Sequence, residues 1–399
     1  MITQRESTGS ADVPASAGRL PSLDGLRGVA ALIVMIHHGL LTFPAFAGAY
    51  LGPAGPAAGT AAWWLTYTPA HLVWAGGEAV WLFFVLSGVV LTLPVLRSGE
   101  RFSWFGYFGR RVARLYLPVW AAVLVTLLLV TLVPRFSDPA LGSWMAIHAD
   151  GYDWRGIALD ATLLLGTSGV NTPLWSLPWE VFFSLLLPLF VLAALWCRRW
   201  WWLAVAALLL VMLAGERLGI PAAIHLPVFA VGAVLAAAWG QVGVLAQRLS
   251  RWRGAWPAIL TLALGLTTVR WSLVGLGLPA PSSLVGPDTV VGVATLVVAA
   301  AWYRPLRRLL RSRLCQWLGT VSFSLYLIHE PVITTARLLT FPAGEWTALV
   351  IAWPASLLIA HGFARWIEAP AHRLARRIGQ AAEQMLRGAP GDPGPPPGP

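Results

Sequence analysis

Residues 22–39 read SLDGLRGVAALIVMIHHG and open the first strongly apolar run of the chain. The run from Leu23 to Phe43 has about the length that an α-helix needs to cross a hydrocarbon core of ~30 Å. Asp24, near its start, is predicted to cap the helix by accepting hydrogen bonds from free backbone N–H groups. The stretch therefore predicts a first membrane-spanning helix that begins close to Asp24.

One face of this helix carries ionisable groups at two depths. Arg27 and His38 are 11 residues apart, which at ~100° per residue places them on the same face, roughly 16 Å apart along the axis. Ionisable side chains inside a membrane are costly, and they commonly mark functional sites. We therefore expect His38 to be functional. His37 points ~100° away, and for it a function and a packing role in a helix bundle remain two open interpretations.

The composition indicates a membrane protein. Of the 399 residues, 57% are hydrophobic and only 11% are charged, whereas soluble domains carry about 25% charged residues. The 28 basic residues are all arginine, which excludes lysine Schiff-base chemistry. The net charge of +11 does not indicate a nucleic-acid partner, because the arginines lie in clusters between apolar runs.

Ten apolar stretches are candidate membrane spans. They cover approximately residues 23–43, 77–96, 115–133, 173–196, 200–215, 222–239, 256–276, 283–303, 316–336 and 346–367. With ten spans both termini lie on one side, and that side carries 23 arginines against five on the other. Cytoplasmic loops are enriched in arginine, so the sequence predicts an all-α bundle of about ten transmembrane helices in the cytoplasmic membrane, with both termini cytoplasmic.

The chain is predicted to form one membrane domain, at residues 22–377. Residues 1–21 are expected to be a disordered cytoplasmic N-terminus, and residues 378–399 a cytoplasmic tail that is rich in Gly and Pro at its end. Residues 44–76 and 134–172 are predicted to be outer loops. The two cysteines, Cys197 and Cys315, lie beside arginine clusters assigned to the cytoplasm, so neither a disulfide nor a metal site is expected.

Six fragments occur in an order that resembles the acyltransferase-3 family of integral membrane acyltransferases. They are SLDGLRGVAALIVMIHH at 22–38, EAVWLFFVLSGVV at 78–90, GRRVARLYLP at 109–118, LWSLPWEVFFSLLLP at 174–188, LGTVSFSLYLIHEPV at 318–332 and IEAPAHRL at 367–374. The resemblance implies a cytoplasmic acyl-CoA donor, with an acetyl group as the expected acyl group. It also implies a hydroxyl acceptor on a sugar of a glycolipid, polysaccharide or secondary metabolite.

The resemblance also implies site residues. The arginine–histidine pattern of the family's first helix falls on Arg27 and His38, and its paired arginines fall on Arg111 and Arg114. Its tryptophan–serine–glutamate motif falls on Trp175, Ser176 and Glu180, of which the first two are expected to bind substrate. The chain departs from the family in having Glu330 after His329, where an aromatic residue is common. It also departs in having Pro178 and Trp179 before Glu180.

The chemistry of acyl transfer fits these residue types. A hydroxyl is a poor nucleophile until a base takes its proton, and a neutral histidine suits that role, so His38 is predicted to be the general base. Arg111 and Arg114 are three residues apart and share a helix face. With Arg27 they are predicted to bind CoA phosphates, because guanidinium groups match phosphate oxygens. The alternative for Arg111 and Arg114 is that they serve membrane topology alone.

Three further residues have two open interpretations each. Glu180 is expected about 10 Å inside the fourth span from its outer end, where it either orients His38 or the acceptor as a catalytic residue or pairs structurally with another helix. His329 and Glu330 either bind the acceptor or satisfy neighbouring polar groups.

A second class of function fits the same composition. A transporter or flippase for a glycolipid or a small polar metabolite would also have many spans and intramembrane His and Glu. No permanently bound cofactor is expected, because acyl-CoA is a substrate. The sequence leaves open on which side of the membrane transfer occurs.

Overall fold

The computed structural model describes residues 20–51, 55–148, 150–280 and 286–388. These ranges are helical and contain no β-strand. The α-helices are α1 Pro21–Leu40, α2 Pro44–Leu51, α3 Ala61–Tyr67, α4 Gly76–Ser98, α5 Trp104–Leu132, α6 Gly142–Ile147, α7 Trp154–Thr162, α8 Leu177–Cys197, α9 Trp201–Leu218, α10 Pro221–Ala237, α11 Trp239–Leu249, α12 Ala255–Gly275, α13 Pro287–Trp302, α14 Arg304–Leu310, α15 Arg313–Leu339, α16 Glu345–Phe363 and α17 Ala369–Gly388. The predictions for residues 1–19 and 389–399 lie outside the described residues.

Six helical stretches are long and apolar enough to cross a membrane, and eight are if each of two bent helix pairs counts as one span. The bent pairs are α10 with α11, at 78°, and α13 with α14, at 88°. Each of the ten predicted spans falls on a helix, but α8 and α9 belong to one continuous helical stretch, Thr172–Leu218, of 47 residues that includes the adjoining 3-10 turns. Helix α15, which holds the predicted ninth span, is outside the set of six to eight. The described residues thus form an all-helical structure with six to eight candidate membrane-spanning stretches, while ten crossings and two cytoplasmic termini remain predictions.

Helix α1 begins before Asp24. Its first residue is Pro21, and its N-cap, Leu20, provides no side-chain hydrogen bond. Proline suits the first helical position because the amide proton it lacks would be unpaired there anyway. The prediction that Asp24 caps the helix is therefore wrong, and Asp24 lies within the first turn instead.

Glycines allow the central helices to approach closely. Helix α1 packs against α15 and α4, and α4 packs against α10. A Cβ atom added at Gly28 would overlap the backbone of Leu318 and Gly319 in α15. One added at Gly88 would overlap the backbone of α10 at Phe229 and Gly232. Small residues at such crossings are typical of helix packing in membranes.

The segment between α5 and α8, predicted as an outer loop, folds back along α5. The Tyr116 hydroxyl donates to the carbonyl of Thr162 (2.8 Å), and Trp120 Nε1 donates to the carbonyl of Ala161 (2.9 Å). The chain then runs through a 3-10 turn at Thr172–Ser176 into α8. Because of this return path, the first turn of α8 lies beside the first third of α5.

The last two helices are joined by one π-helical turn. Residues Ala364–Glu368 form this turn between α16 and α17, and α17 then packs along α5. Single π-helical turns inside α-helices are frequent at functional sites. Here the turn brings Glu368 and His372 to the same cavity as the α5 arginines.

Candidate active site

All three arginines predicted to bind phosphate line one pocket. Arg27 comes from α1, and Arg111 and Arg114 come from α5. The empty space within it, including space open to solvent, is about 1030 Å³. We call it the arginine pocket, and the other residues in its wall are Leu23, Asp24, Phe83, Phe84, Leu86, Ser87, Val90, Leu91, Leu115, Ser176, Leu177, Glu180, Ser322, Phe323, Tyr326, Glu368 and His372.

Glu180 forms an ion pair with Arg111. Arg111 Nη2 lies 2.5 Å from Glu180 Oε1, and Arg111 Nε donates to Ser184 Oγ at 2.9 Å. The Ser184 hydroxyl donates in turn to the backbone carbonyl of Glu180 (2.6 Å). The pair is only partly buried, with 15% and 22% of the two side chains exposed. The contact joins α8 to α5, which agrees with the interpretation that Glu180 pairs structurally with another helix, and its catalytic role stays a prediction.

A second carboxylate in the pocket, Glu368, was not singled out from the sequence. The Ser324 hydroxyl donates to Glu368 Oε2 at 2.6 Å, and His372 Nε2 lies 3.6 Å from Glu368 Oε1. The hydrogen bond from Ser324 therefore joins the fragment at 318–332 to the fragment at 367–374. With Asp24 and Glu180, the wall holds three carboxylates against its three arginines.

Tyr326 links the pocket to the pair formed by His329, which is buried, and His38, which is partly buried. Its hydroxyl lies 2.7 Å from Ser176 Oγ and donates to the backbone carbonyl of Pro173 at 2.8 Å. Its ring centre is 6.2 Å from that of His329. Ser176 and Tyr326 both belong to the wall of the pocket, so His329 lies directly behind that wall.

His38 and His329 are hydrogen-bonded to each other. His38 Nδ1 lies 3.0 Å from His329 Nε2 and 3.0 Å from the carbonyl of Val34, while His329 Nδ1 lies 2.7 Å from the carbonyl of Leu325. A carbonyl only accepts, so each Nδ1 carries a proton. The Nδ1–H of His38 is then shared between Val34 and the His329 Nε2 lone pair. His38 Nε2 is left as a proton acceptor, and within the described residues it has no hydrogen-bond partner.

His37 has different neighbours. Its Nδ1 donates to the carbonyl of Trp74 at 3.0 Å, and its ring packs edge-on against Tyr50 at 4.7 Å between centres. A Cβ atom at Gly76 would overlap the His37 ring. The His37 ring is therefore closely packed by its neighbours, whereas the ring of His38 contacts His329.

Glu330 lies in a closed network with His148 and Thr172. Glu330 Oε1 is 2.9 Å from His148 Nε2 and accepts from the Thr172 hydroxyl, while Oε2 accepts from the Thr172 backbone N–H. His148 Nδ1 donates to the carbonyl of Trp144 (2.9 Å). Glu330 has no exposed surface. The contacts thus favour the interpretation that Glu330 satisfies neighbouring polar groups over the one that it binds the acceptor.

The predicted residues therefore separate into two groups. Arg27, Arg111, Arg114, Ser176 and Glu180 line the pocket. His38 and His329 form the pair behind it, which together with Glu330, His148 and Thr172 we call the histidine network. Trp175 is outside the pocket wall, with its ring centre 6.2 Å from Phe84.

Sequence reasoning missed Tyr326, Glu368 and His148. For Tyr326 a signal exists, since it precedes His329 by three residues and so shares its helix face. His148 lies in a segment that reads as a loop, and only the fold brings it to Glu330.

Comparison with known proteins identifies the family of the chain. The family model described as an acyltransferase domain, acyltransferase-3, matches residues 20–365. The chain belongs to the acyltransferase-3 family. It is similar to the acyltransferase MdmB of Streptomyces mycarofaciens, with 29% identity over 400 residues, covering 92% of this chain and 95% of the relative.

No solved structure matches the chain. The family and the relative show that the protein is an acyltransferase that transfers groups other than aminoacyl groups. They support acyl transfer over the transporter alternative.

Proposed function

We propose that the protein is a membrane-bound O-acyltransferase that moves an acyl group from cytoplasmic acyl-CoA to a hydroxyl of a carbohydrate-containing acceptor. Acetyl is the acyl group we propose, and a cell-surface glycan, a glycolipid or a secondary metabolite is the acceptor. The observation that carries the proposal is the hydrogen bond between His38 and His329 behind the wall of the arginine pocket.

The donor is assigned to the arginine pocket. Guanidinium groups bind phosphate oxygens well, and Arg27, Arg111 and Arg114 line the same pocket. Along α1, Arg27 lies roughly 16 Å from His38. A donor held by its phosphates at the arginines would therefore extend its thioester toward Tyr326 and the histidine pair.

His38 is the general base in this proposal. Its Nε2 accepts the proton of the acceptor hydroxyl while that oxygen attacks the thioester carbonyl. The carbon–sulfur bond breaks as the tetrahedral intermediate collapses, and His38 Nε2 returns the proton to the leaving CoA thiolate. His329 Nε2 accepts from His38 Nδ1–H, which holds the ring in place and stabilises its cationic form. His329 is thus a positioning residue rather than an acceptor ligand.

The test uses purified protein in lipid nanodiscs. We expect acetyl-CoA to bind, and free thiol to be released when a hydroxyl acceptor is added. Acceptors would be sought by comparing the masses of surface glycans and secreted metabolites from cells with and without the protein. Movement of such a compound across vesicles without any donor, together with no thiol release, would contradict the proposal.

Entry of the donor from the cytoplasm depends on orientation. The arginine distribution places residues 304–313 inside and residues 134–172 outside. Two variants that each add one cysteine, Ser143→Cys and Arg308→Cys, test this orientation, because both positions are exposed. In both variants Cys197 is replaced by serine. An impermeant thiol reagent applied to intact cells should label Ser143→Cys and not Arg308→Cys, and the reverse result would exclude the assigned orientation.

A further inference from the structure

An imidazole in an aromatic enclosure lies beside the arginine pocket. His225 of α10 is surrounded by Trp179 of α8, Trp175 of the preceding turn, and Trp81 and Phe84 of α4. Their ring centres lie 4.7, 5.4, 6.1 and 6.2 Å from that of His225, respectively. We call these five residues the His225 box.

The nitrogens of His225 make no hydrogen bond within the described part of the chain, and Nδ1 is buried. The three histidines of the histidine network behave differently. His38, His148 and His329 each donate from Nδ1 to the carbonyl four residues earlier. The corresponding residue for His225 is Pro221, and no such bond forms. A buried polar nitrogen without a partner carries a desolvation penalty, so this imidazole is suited to an incoming hydrogen-bonding group.

The box adjoins the arginine pocket through shared elements. Phe84 belongs to both. Trp175 precedes Ser176, and Trp179 precedes Glu180, and both of these neighbours line the pocket. Trp175 itself is partly exposed, at 37%. The box and the arginine pocket are therefore neighbours in the fold.

We propose that the His225 box binds a hydroxylated ring, such as a sugar, of the acyl acceptor. This inference rests on the proposed function. It names a site that binds a part of the acceptor distant from the hydroxyl that reacts. Sugar rings present C–H faces that pack on indole rings and hydroxyls that hydrogen-bond to imidazole nitrogens. Binding sites of this kind combine apolar and aromatic walls with a few placed polar groups. A plain acyl chain would fill the same walls but leave the imidazole unpaired.

The probe is hexyl β-glucoside, with hexane as the control that has neither a sugar nor a hydroxyl. Binding would be followed by NMR of histidine-labelled protein in nanodiscs, with the His225 signals assigned by their loss in His225→Phe. We expect hexyl glucoside to shift the His225 signals and hexane to leave them in place. Equal shifts with both compounds, or none with either, would overturn the proposal.

Two variants measure the contribution of the imidazole. His225→Phe keeps an aromatic ring and removes the unpaired nitrogens, so the fold should be retained, as a thermal unfolding curve would verify. It should weaken glucoside binding by about threefold to tenfold. The matched control is His361→Phe. His361 lies against a single tryptophan, Trp317, on the exposed part of α16, and its replacement should not change glucoside affinity.

The outcomes separate this inference from the proposed function. If His225→Phe binds the glucoside as tightly as the native protein while acyl transfer proceeds, the proposal that the His225 box binds the acceptor is wrong and the proposed enzyme function stands. If the native protein binds the glucoside selectively but never releases CoA thiol with any acceptor, the proposed function fails and the box stands. With an acceptor in hand, His225→Phe should raise the acceptor KM and leave the donor KM unchanged.

Discussion

The arginine pocket and the histidine network each contain a carboxylate beside a basic side chain, but the two carboxylates differ in exposure and in how completely they are hydrogen-bonded. Glu180 pairs with Arg111 at the edge of a large cavity, and both side chains remain partly exposed. Glu330 is fully enclosed, and both of its oxygens have partners. An ion pair beside a cavity can exchange partners when a charged ligand enters. A closed network holds elements in place, because an unpaired charge in it would be costly.

The largest expected effect is at His38. Loss of a general base lowers the rate by about 10²–10⁴-fold, so His38→Ala should abolish measurable transfer and leave acyl-CoA affinity near normal. His38→Gln should also fail, since an amide cannot accept the proton. Turnover would be measured by thiol release, and donor affinity by equilibrium binding.

The neighbouring histidine is the control for this prediction. His37→Gln can keep the hydrogen bond to the Trp74 carbonyl, and it should retain most of the activity. Near-normal turnover in His38→Gln together with an inactive His37→Gln would show that the base has been assigned to the wrong histidine.

The second effect is on stability, at Glu330. Glu330→Ala would leave His148 and Thr172 without their shared partner, and breaking a buried charged pair costs about 3–5 kcal/mol. We expect a clearly lower unfolding temperature in nanodiscs. Glu330→Gln keeps an acceptor oxygen for Thr172 and should lose less.

Activity per folded molecule decides what Glu330 does. It should change far less than in His38→Ala, because Glu330 is proposed to hold the structure rather than to touch substrate. A Glu330→Gln protein of native stability that has lost transfer would return this residue to the acceptor-binding interpretation.

The third effect is on donor binding, at the paired arginines of α5. A lost hydrogen bond to a charged group costs about 1.5–3 kcal/mol, which is roughly a tenfold to hundredfold change in affinity. Arg111→Ala and Arg114→Ala should each weaken acyl-CoA binding by this factor. Arg110→Ala is the matched control on the same helix, since Arg110 does not line the pocket. Donor affinity unchanged in both pocket variants would leave these arginines with a role in topology alone.

The sequence was sufficient for an all-helical fold with several candidate membrane spans and for the different directions of His37 and His38 on α1, while the count of ten spans stays a prediction. Helical spacing alone separates His37 from His38, and the structure gives the two side chains different neighbours. The apolar runs predict the helices well, because burial in a membrane is a property of each segment. The N-terminal boundary of α1 was missed, since Pro21 starts the helix where Asp24 was expected to cap it.

The long-range pairs could not be derived from single segments. His38 and His329 are 291 residues apart, and their contact depends on how α1 crosses α15. Glu180 was expected 10 Å inside the outer end of a span. It lies instead in the first turn of α8, beside Arg111, because the chain before α8 folds back along α5. That return path is a tertiary feature that leaves no periodic signal in the sequence.

The smallest expected effect concerns Glu180 and decides between its two interpretations. Three carboxylates and three arginines line the pocket, so the positive charge of the arginines is balanced by nearby negative charge. An incoming phosphate must compete with Glu180 for Arg111. Glu180→Gln removes the competing charge but keeps a side chain of the same shape that can still contact the guanidinium. We therefore expect donor binding to tighten by a few-fold, about the worth of a partly exposed ion pair, with turnover reduced only slightly.

A catalytic role for Glu180 predicts the opposite result. If the carboxylate orients the acceptor or a catalytic proton, Glu180→Gln should lose about 10²-fold or more in turnover, with donor affinity unchanged. Measuring the donor Kd and single-turnover transfer in the same preparation separates the two cases. A double variant, Arg111→Ala with Glu180→Gln, then completes the comparison with the two single variants. If Glu180 acts only through Arg111, its replacement should have no further effect on donor affinity once Arg111 is gone, since the group for which it competes is absent.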